Sequence, residues 1–421
     1  MKKIWILFSL VFGVSLAGYP QVLGLRDYRQ RVMNYNQDIK QSRAVAEAAL
    51  YALKSVKTGF FPRLDLSGSY SYQFENVEFM EGVRLKHDNY NAEADLVQSV
   101  YAGGAVRKQY EMARVQQAIA VLGEKHTLVN MLYAADVNYW TAVANRDLYT
   151  IASRFVEIVG ELYDVVDKRF REGAISRTDV LMVEARLKEA ELQLNASRTN
   201  YKTALQALNI MMGEAVEAEP VLRDSIRSGI LLPSVSELAV ALDNRADYQT
   251  SIRDVELARL ETRLVKSNYL PQVVLGIKEN WGTLLLNVDG ERRFTTLAFA
   301  NLSIPVFHWG ERRQSVRASI LQEDIRELDR SKLAEQVSLE LSTTWTTVSD
   351  LLKKTEIVNS SLEIAQDNLF LNTFSYNEGK LPIIDVLSAQ VTWLQAYTSV
   401  VSVHYQFKVA VAEYYRAVGG E

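Results

Sequence analysis

Polar and apolar residues alternate strictly over residues 64–75. The apolar or small set is Leu64, Leu66, Gly68, Tyr70, Tyr72 and Phe74, and every residue between them is polar. Because successive side chains of a strand point to opposite faces, this pattern predicts a strand with one apolar and one polar face. A strand of this length with aromatic residues at one end is typical of a transmembrane β-barrel. A charged loop and a returning strand complete a predicted β-hairpin, residues 64–101.

A second β-hairpin is predicted over residues 272–305. Its first strand alternates through Val273, Leu275, Ile277 and Trp281, with Glu279 as an exception. Its second strand, about 294–305, carries apolar residues on both faces, so the sequence leaves the facing of this strand open.

After each hairpin the spacing of apolar residues changes from two to three or four. The stripes are Leu128, Leu132, Ala135, Tyr139 and Ala142 in one segment, and Leu333, Val337, Leu341, Trp345, Val348 and Leu352 in the other. Such stripes form the seams of coiled coils. Residues 104–171 contain no strong helix stop, and a helix of that length reaches about 100 Å at about 1.5 Å per residue.

Two Glu-Gly segments are predicted to end the long helices as helical hairpin tips. Each glycine stands where the left-handed residue after a helix belongs. A Ser, Thr or Pro follows, which can begin a return helix. The tips span residues 172–176 and 378–382, and the return helices span about 177–212 and 383–418.

The whole order of elements occurs twice. The matching segments are 169–187 (RFREGAISRTDVLMVEARL) with 375–393 (SYNEGKLPIIDVLSAQVTW), Lys57…Phe61-Pro62 with Lys266…Leu270-Pro271, and 100–104 (VYAGG) with 306–310 (VFHWG), at offsets of 206 to 209. We therefore predict two structural repeats, residues 18–213 and 234–421, joined by a linker over 214–233. Each repeat comprises a helix, a β-hairpin, a long helix, a tip and a helix.

The N-terminus has the pattern of a secretory signal peptide, residues 1–17. Two lysines precede an apolar run over residues 4–14, and Ser15-Leu16-Ala17 fits a cleavage site. An uncleaved anchor helix is the alternative, but the run is too short to span a bilayer comfortably. No other apolar stretch approaches the length of a transmembrane helix.

Composition narrows the classes of function. The chain has no cysteine, and its four histidines lack metal-ligand spacing, so we expect no disulfide, no metal site and no cofactor. The formal net charge of −4 gives no reason to expect nucleic-acid binding. A nucleophile, a base and an orienting group do not occur together, so an enzyme is the least favoured class.

Four predicted strands cannot close a barrel, and open sheet edges are not tolerated in lipid. The smallest outer-membrane barrels have about eight strands. The barrel must therefore be shared between chains, and three chains would supply twelve strands above a cylinder of long helices. A secreted or periplasmic coiled-coil rod with a structural or adhesive role is the alternative. It explains the heptads but leaves the alternating segments unexplained.

The chain resembles the TolC-like outer-membrane efflux proteins. The resemblance rests on the paired F/Y-x-E-G-x-I/L…D-V-L tips, the two F/L-P-x-L/V strand entries and V-Y/F-x-x-G before each long helix, and it spans residues 25–419. It implies a mainly α homotrimeric channel-tunnel in a diderm bacterium, with a shared 12-stranded β-barrel in the outer membrane and a periplasmic α-helical barrel. Such ducts passively conduct substrates from an inner-membrane transporter and a periplasmic adaptor to the exterior, in efflux or type I secretion systems. Catalysis would belong to the transporter.

The resemblance also implies a periplasmic gate just inside the second tip. Asp385 matches the family's principal acidic position, where three symmetry-related carboxylates would repel each other and bind cations. A second acidic position falls on Ser388 and a basic latch position on Leu381. The closed state is therefore expected to depend on fewer polar contacts or on apolar packing of Leu381 and Ile384. The alternative is that Asp385 only stabilises a helix N-terminus, and its counterpart Asp179 supports this alternative.

Two further surfaces are assigned to partners. The adaptor is expected to contact the tips, Glu172-Gly173-Ala174 and Glu378-Gly379-Lys380, although the glycines could serve only as helix stops. The residues expected to face outer-membrane lipid or to form an aromatic girdle are Leu66, Tyr70, Tyr72 and Phe74. The alternative for these four is the core of a soluble sheet. The pair His308-Trp309 is interpreted as packing and not as a ligand pair.

Overall fold

The computed structural model describes residues 22–229, 231–283, 288 and 290–420. The predicted signal peptide, residues 1–17, lies outside the described residues. The described chain is mainly helical with a small sheet portion, and the main elements occur in the same order in both halves. No helix in these ranges has both the length and the apolar character that crossing a membrane requires.

Each half contains a pair of long strands and a pair of long helices. The first half comprises β1 (Val22–Leu23), α1 (Leu25–Tyr35), α2 (Gln37–Lys57), β2 (Arg63–Tyr72), β3 (Glu78–Met80), β4 (Val83–Arg84), β5 (Asp88–Ala102), α3 (Ala105–Arg171) and α4 (Arg177–Met212). The remainder comprises β6 (Val221–Leu222), α5 (Leu238–Asn244), α6 (Ala246–Ser267), β7 (Gln272–Gly282), β8 (Arg293–Ser303), α7 (Glu311–Asn377) and α8 (Ile383–Val418). The helices α3 and α7 have 67 residues each, and α4 and α8 have 36 each, so the duplication extends to element length.

The chain forms two compact units, and the two 67-residue helices α3 and α7 contribute to both. The tip unit comprises the described residues up to Asn36 together with Asn130–Val235 and Thr343–Arg416. The sheet unit comprises Gln37–Val129, Ser236–Ser342 and the described residues from Ala417.

The sheet unit contains an antiparallel sheet of four strands in the order β2-β5-β7-β8. The strand β2 ends at Tyr72, so Phe74 lies beyond it, contrary to the predicted alternation to residue 75. The chain leaves the sheet there because the following segment forms a small two-stranded sheet of its own, β3 with β4.

The register aligns one apolar face across all four strands. In one row, Leu64 lies opposite Leu96, Leu96 opposite Ile277, and Ile277 opposite Ala298. This row places Ala298 on the apolar face, so its neighbour Phe299 faces the polar side. Phe299 packs over Gly276, where an added Cβ would lie 2.4 Å from the ring. The pairing thus decides the facing of β8 that the sequence left open.

The apolar face of the sheet is exposed. Leu66 is 79% exposed, Tyr70 59% and Tyr72 46%, and Phe74, just beyond the end of β2, is 87% exposed. These side chains form no packed core within the described chain, contrary to the alternative of a soluble sheet core. The opposite face carries charge, because the Nζ of Lys278 lies 2.6 Å from the carboxylate of Glu93.

The helices that precede the two hairpins are each broken, contrary to the single helices predicted. The breaks fall at Asn36 and Arg245, whose ψ angles are 133° and 119°. An aspartate, Asp38 or Asp247, follows in the first turn of the next helix, where a carboxylate is favourable. Burial alone would raise the pKa of Asp247, but hydrogen bonds from Arg245 outweigh it and hold the pKa below its usual range.

Four helices pack around an apolar core in the tip unit. Its buried members include Phe155, Val183, Val386 and Trp393, which come from α3, α4 and α8. The rings of Phe155 and Trp393 stack with their centroids 6.3 Å apart. This core fixes the ends of the helices that carry both tips.

The linker is tied to the tip unit by buried polar contacts. Its short strand β6 pairs in parallel with β1. The hydroxyl of Tyr139 lies 2.6 Å from the carboxylate of Asp224 and 3.0 Å from the carbonyl oxygen of Leu23. The ammonium of Lys408 donates to the carbonyl oxygen of Gly229 at 2.8 Å. Residues 214–233 therefore do more than join two repeats.

Candidate functional site

Both tips have the same backbone turn at the end of a long helix. Gly173 has φ 76° and Gly379 has φ 71°. The turn hydrogen bonds run from Gly173 N to Phe170 O (2.9 Å), Ala174 N to Arg169 O (2.9 Å), Gly379 N to Tyr376 O (2.9 Å) and Lys380 N to Ser375 O (2.8 Å). This pattern is the Schellman motif, which satisfies the last carbonyl groups of a helix and requires a left-handed residue. The backbone therefore favours glycine, the residue most at ease in the left-handed region, at both tips.

The space around both tip glycines is open. An added Cβ at Gly173 or Gly379 would meet no atom of the described chain within 4 Å. The flanking residues Glu172, Ala174, Glu378 and Lys380 are exposed. The glycines are thus helix stops that also leave room for another molecule to approach.

Arg169 connects the two tips. Its guanidinium donates to the carbonyl oxygens of Tyr376 and Asn377, at 3.2 and 2.8 Å, and lies 4.9 Å from the centre of the Tyr376 ring. A cation in this place stabilises the end of α7. No local pattern in the sequence singles out Arg169. In the alignment of the two repeats, Arg169 corresponds to Ser375, so the two otherwise similar tip segments differ at this position.

The return helices begin differently at the two tips. In the first repeat Ser176 and Asp179 form a capping box, with Asp179 N donating to Ser176 Oγ at 3.3 Å and Ser176 N donating to Asp179 Oδ2 at 3.2 Å. In the second repeat Pro382 stands at the start of α8. Proline has neither a hydroxyl group nor an N–H, so Asp385 cannot form such a box.

Asp385 is half-buried, and its carboxylate has no hydrogen-bond or ion-pair partner in the described part of the chain. Asp179 therefore fits the role of a helix-start acid, and Asp385 does not share the hydrogen bonds of that role. The two repeats thus share the D-V-L sequence, but only the first aspartate of the two is hydrogen-bonded at the start of its helix.

Three of the predicted gate residues, Ile384, Asp385 and Ser388, are spaced as neighbours on one face of α8. The fourth, Leu381, lies two residues before this helix begins. Ile384 is 55% exposed and Ser388 is exposed, whereas the opposite side packs into the core. That buried side comprises Ile383, Val386, Leu387 and Gln390. The gate residues thus point away from the core of the tip unit.

The described residues contain no group of histidine and acidic side chains arranged to hold a metal ion.

The model of the outer membrane efflux protein family matches residues 29–214 and 238–420. The chain belongs to the outer membrane efflux protein family. The two matched segments correspond to the two repeats, and the match confirms the resemblance drawn from the tip and junction motifs.

Two relatives match most of the chain. The outer membrane protein TolC of Escherichia coli K12 is 20% identical over 436 residues, covering 97% of this chain and 85% of that protein. Nodulation protein T of Rhizobium leguminosarum bv. trifolii is 21% identical over 394 residues, covering 87% of this chain and 79% of that protein.

Solved structures share the fold. The CmeC outer membrane channel of Campylobacter jejuni superposes with a TM-score of 0.82 at 18% identity, covering 94% of this chain and 85% of that one. The open state of the MtrE outer membrane channel of Neisseria gonorrhoeae gives 0.80 at 15% identity, with 94% and 89% covered. These matches confirm the mainly helical, duplicated channel-tunnel fold. By its family, this chain is an outer-membrane exit duct for efflux.

We predict that Asp179→Ala destabilises the protein more than Asp385→Ala does. Only the Asp179 carboxylate accepts a hydrogen bond from the backbone N–H of its N-cap residue, Ser176, and a hydrogen bond contributes about 0.5–1.5 kcal/mol. Thermal unfolding of the two variants beside the parent protein measures the difference. Equal losses in Tm would show that Asp385 has the same capping role as Asp179.

Proposed function

We propose that three copies of this chain close one twelve-stranded barrel in the outer membrane. The observation that carries the proposal is the four-stranded sheet, in which β2 and β8 each have an edge unpaired within the described chain. Unpaired backbone groups cost several kcal/mol each in hydrocarbon, so the edges require partners. The exposed apolar face, with Leu66, Tyr70, Tyr72 and Phe74, is then the surface toward lipid.

The internal repeat supplies a register for the seam between copies. Within the chain, β5 of the first repeat pairs with β7 of the second. Their counterparts are β8 and β2, so β8 of one copy pairs with β2 of the next. The pair Ala94–Glu279 maps onto Ala300 and Tyr70 at the repeat offsets of 206 and 209. Both residues lie on the apolar face, which is consistent with this register.

Cysteines introduced as Ala300→Cys and Tyr70→Cys in one chain should cross-link neighbouring copies. The chain has no natural cysteine, so oxidation should yield covalent dimers and trimers on denaturing gels. The control pairs Ala300→Cys with Leu64→Cys, six residues along the same strand and about 20 Å away. Equal cross-linking of both pairs, or none in a trimeric preparation, would show that the register is wrong.

We infer that the gate is formed by Asp385 with Leu381, Ile384 and Ser388 around the threefold axis. The inference is supported by the partnerless carboxylate of Asp385 and by the outward direction of this face. Three carboxylates at one level attract cations and repel each other. Ser388 carries no charge, and Leu381 and Ile384 offer apolar surface, so closure is expected to depend on apolar contact between copies.

Asp385→Ala should weaken cation selectivity and block by multivalent cations, because one substitution removes three charges. Asp179→Ala should change conduction less, since its carboxylate is held in the capping box. Leu381→Ala or Ile384→Ala should raise conductance if apolar packing closes the entrance. Single-channel recordings in planar bilayers test all four variants. Unchanged selectivity and block in Asp385→Ala, with a change in Asp179→Ala, would refute the gate assignment.

Members of the family work as trimers with periplasmic adaptors and inner-membrane transporters. For this chain we propose that the adaptor docks on Glu172-Gly173-Ala174 and Glu378-Gly379-Lys380. The open space around both glycines supports this docking, since a helical hairpin could approach the backbone closely. The duct itself is passive, and energy and catalysis belong to the transporter of an efflux or type I secretion system. A coiled-coil rod would leave the exposed apolar sheet face without a role.

Gly379→Asn separates the two roles of the tip glycine. Asparagine tolerates the left-handed conformation, so the helix stop and Tm should be retained. The added side chain should reduce cross-linking of the adaptor to the tips in cells. The control is Gly123→Asn, an exposed site within α3. Adaptor cross-linking as in the parent protein would mean that Gly379 serves only as a helix stop.

A further inference from the structure

The junction between β8 and α7 exposes a large apolar cluster. Val306 is 88% exposed, Phe307 69% and Trp309 91%. The rings of Phe307 and Trp309 contact each other, with centroids 5.0 Å apart. The sequence predicted packing at this position, and the exposure shows that the described chain supplies little of it to Trp309. Trp309 is also the one non-glycine residue in the described chain with a positive φ, 45°, a conformation that costs free energy in a bulky residue.

The same junction in the first repeat is closed by a neighbour. Gly103 is the counterpart of Trp309 and has φ 60°. A Cβ at Gly103 would lie 2.6 Å from the carbonyl oxygen of Ser267 and 2.8 Å from Cβ of Leu270. The turn between α6 and β7 therefore sits directly against this junction, and glycine is needed for the close approach.

The turn between α6 and β7 corresponds to the turn Thr58–Phe61 of the first repeat, and residues 58–61 are exposed. Leu270 N donates to Ser267 O at 3.1 Å, and Phe61 N donates to Thr58 O at 2.9 Å in the same local geometry. Phe61 is 63% exposed. Within the described chain, one turn is thus seated on a junction, whereas Phe61 of the other turn and Trp309 of the other junction are exposed.

We propose that Trp309 of one copy packs against the turn Thr58–Phe61 of the next copy, where barrel and helices meet. This inference rests on the proposed trimer, and the repeat supplies its geometry. β8 and β2 meet at the seam between copies, and the junction and the turn lie at the same end of these two antiparallel strands. Contact between Trp309 and Phe61 would bury two large apolar side chains that are otherwise exposed.

The contact between copies differs from the one within the chain. An indole cannot occupy the space at Gly103, where even a Cβ would overlap the neighbouring turn. The junction between copies is therefore wider, and the indole fills the added space against Phe61. Packing of the ring also explains how the chain sustains a tryptophan in the left-handed region.

Trp309→Cys combined with Phe61→Cys tests the contact. A short bis-maleimide applied to detergent-purified protein should convert this variant to covalent dimers and trimers. The control combines Trp309→Cys with Val45→Cys, which is exposed but lies about 18 Å of helix before the end of α2. In a parallel measurement, Trp309→Ala should lower the temperature at which detergent-resistant trimers dissociate, and Trp309→Phe should lower it less.

The seam pair Ala300 and Tyr70 separates two kinds of failure. If the seam pair links and Trp309 with Phe61 does not, Trp309 faces lipid or solvent and this inference is overturned while the trimer stands. If neither pair links and the protein is monomeric, the proposed trimer fails and the inference with it. Linking of the Val45 control as efficiently as Phe61 would also overturn the contact.

Discussion

Backbone amide and carbonyl groups along a sheet edge need hydrogen-bond partners, and hydrocarbon offers none. The four-stranded sheet of this chain presents an exposed apolar face, and within the described residues its outer strands β2 and β8 each have an unpaired edge. Lipid hydrocarbon can cover the apolar face of the sheet, but it cannot supply hydrogen bonds to the unpaired strand edges. Further copies of the same sheet can satisfy both, because the internal repeat makes β8 and β2 counterparts of two strands that already pair. The proposed gate at Asp385 and the proposed contact at Trp309 both depend on that assembly.

Duplication gives the two halves one fold, and single residues then give them different chemistry. Both tips form the same Schellman turn, but the capping box with Asp179 exists only where a serine precedes the helix. Proline at the second tip removes both the donor and the acceptor that would hold Asp385. At the strand-to-helix junctions, Gly103 admits a neighbouring turn, whereas Trp309 cannot. Each difference falls at a residue, Asp385 or Trp309, that the proposed assembly places near the axis or against another copy.

The tip turns and helix starts of the candidate site could be predicted from the sequence, because they depend on residues that end and begin helices. The Glu-Gly tips, the D-V-L segments and the start of each return helix follow from turn and capping chemistry within a few residues. Arg169 was not visible, because it contacts the carbonyl oxygens of Tyr376 and Asn377 more than 200 residues away. The difference between Asp179 and Asp385 lay in the sequence as Ser176 against Pro382. Its consequence is the capping box of Ser176 with Asp179, whose hydrogen bonds only the structure shows.

The sequence by itself determined the strand and helix periods of the apolar residues, the helical hairpin tips, the order of the elements and their duplication. These depend on spacing along the chain, where side-chain direction repeats every two or about 3.6 residues. Only the tertiary structure decided the facing of β8, the breaks at Asn36 and Arg245, and the attachment of the linker through Tyr139 and Lys408. Register and buried polar contacts depend on which distant residues meet, and local periodicity carries no information about that choice.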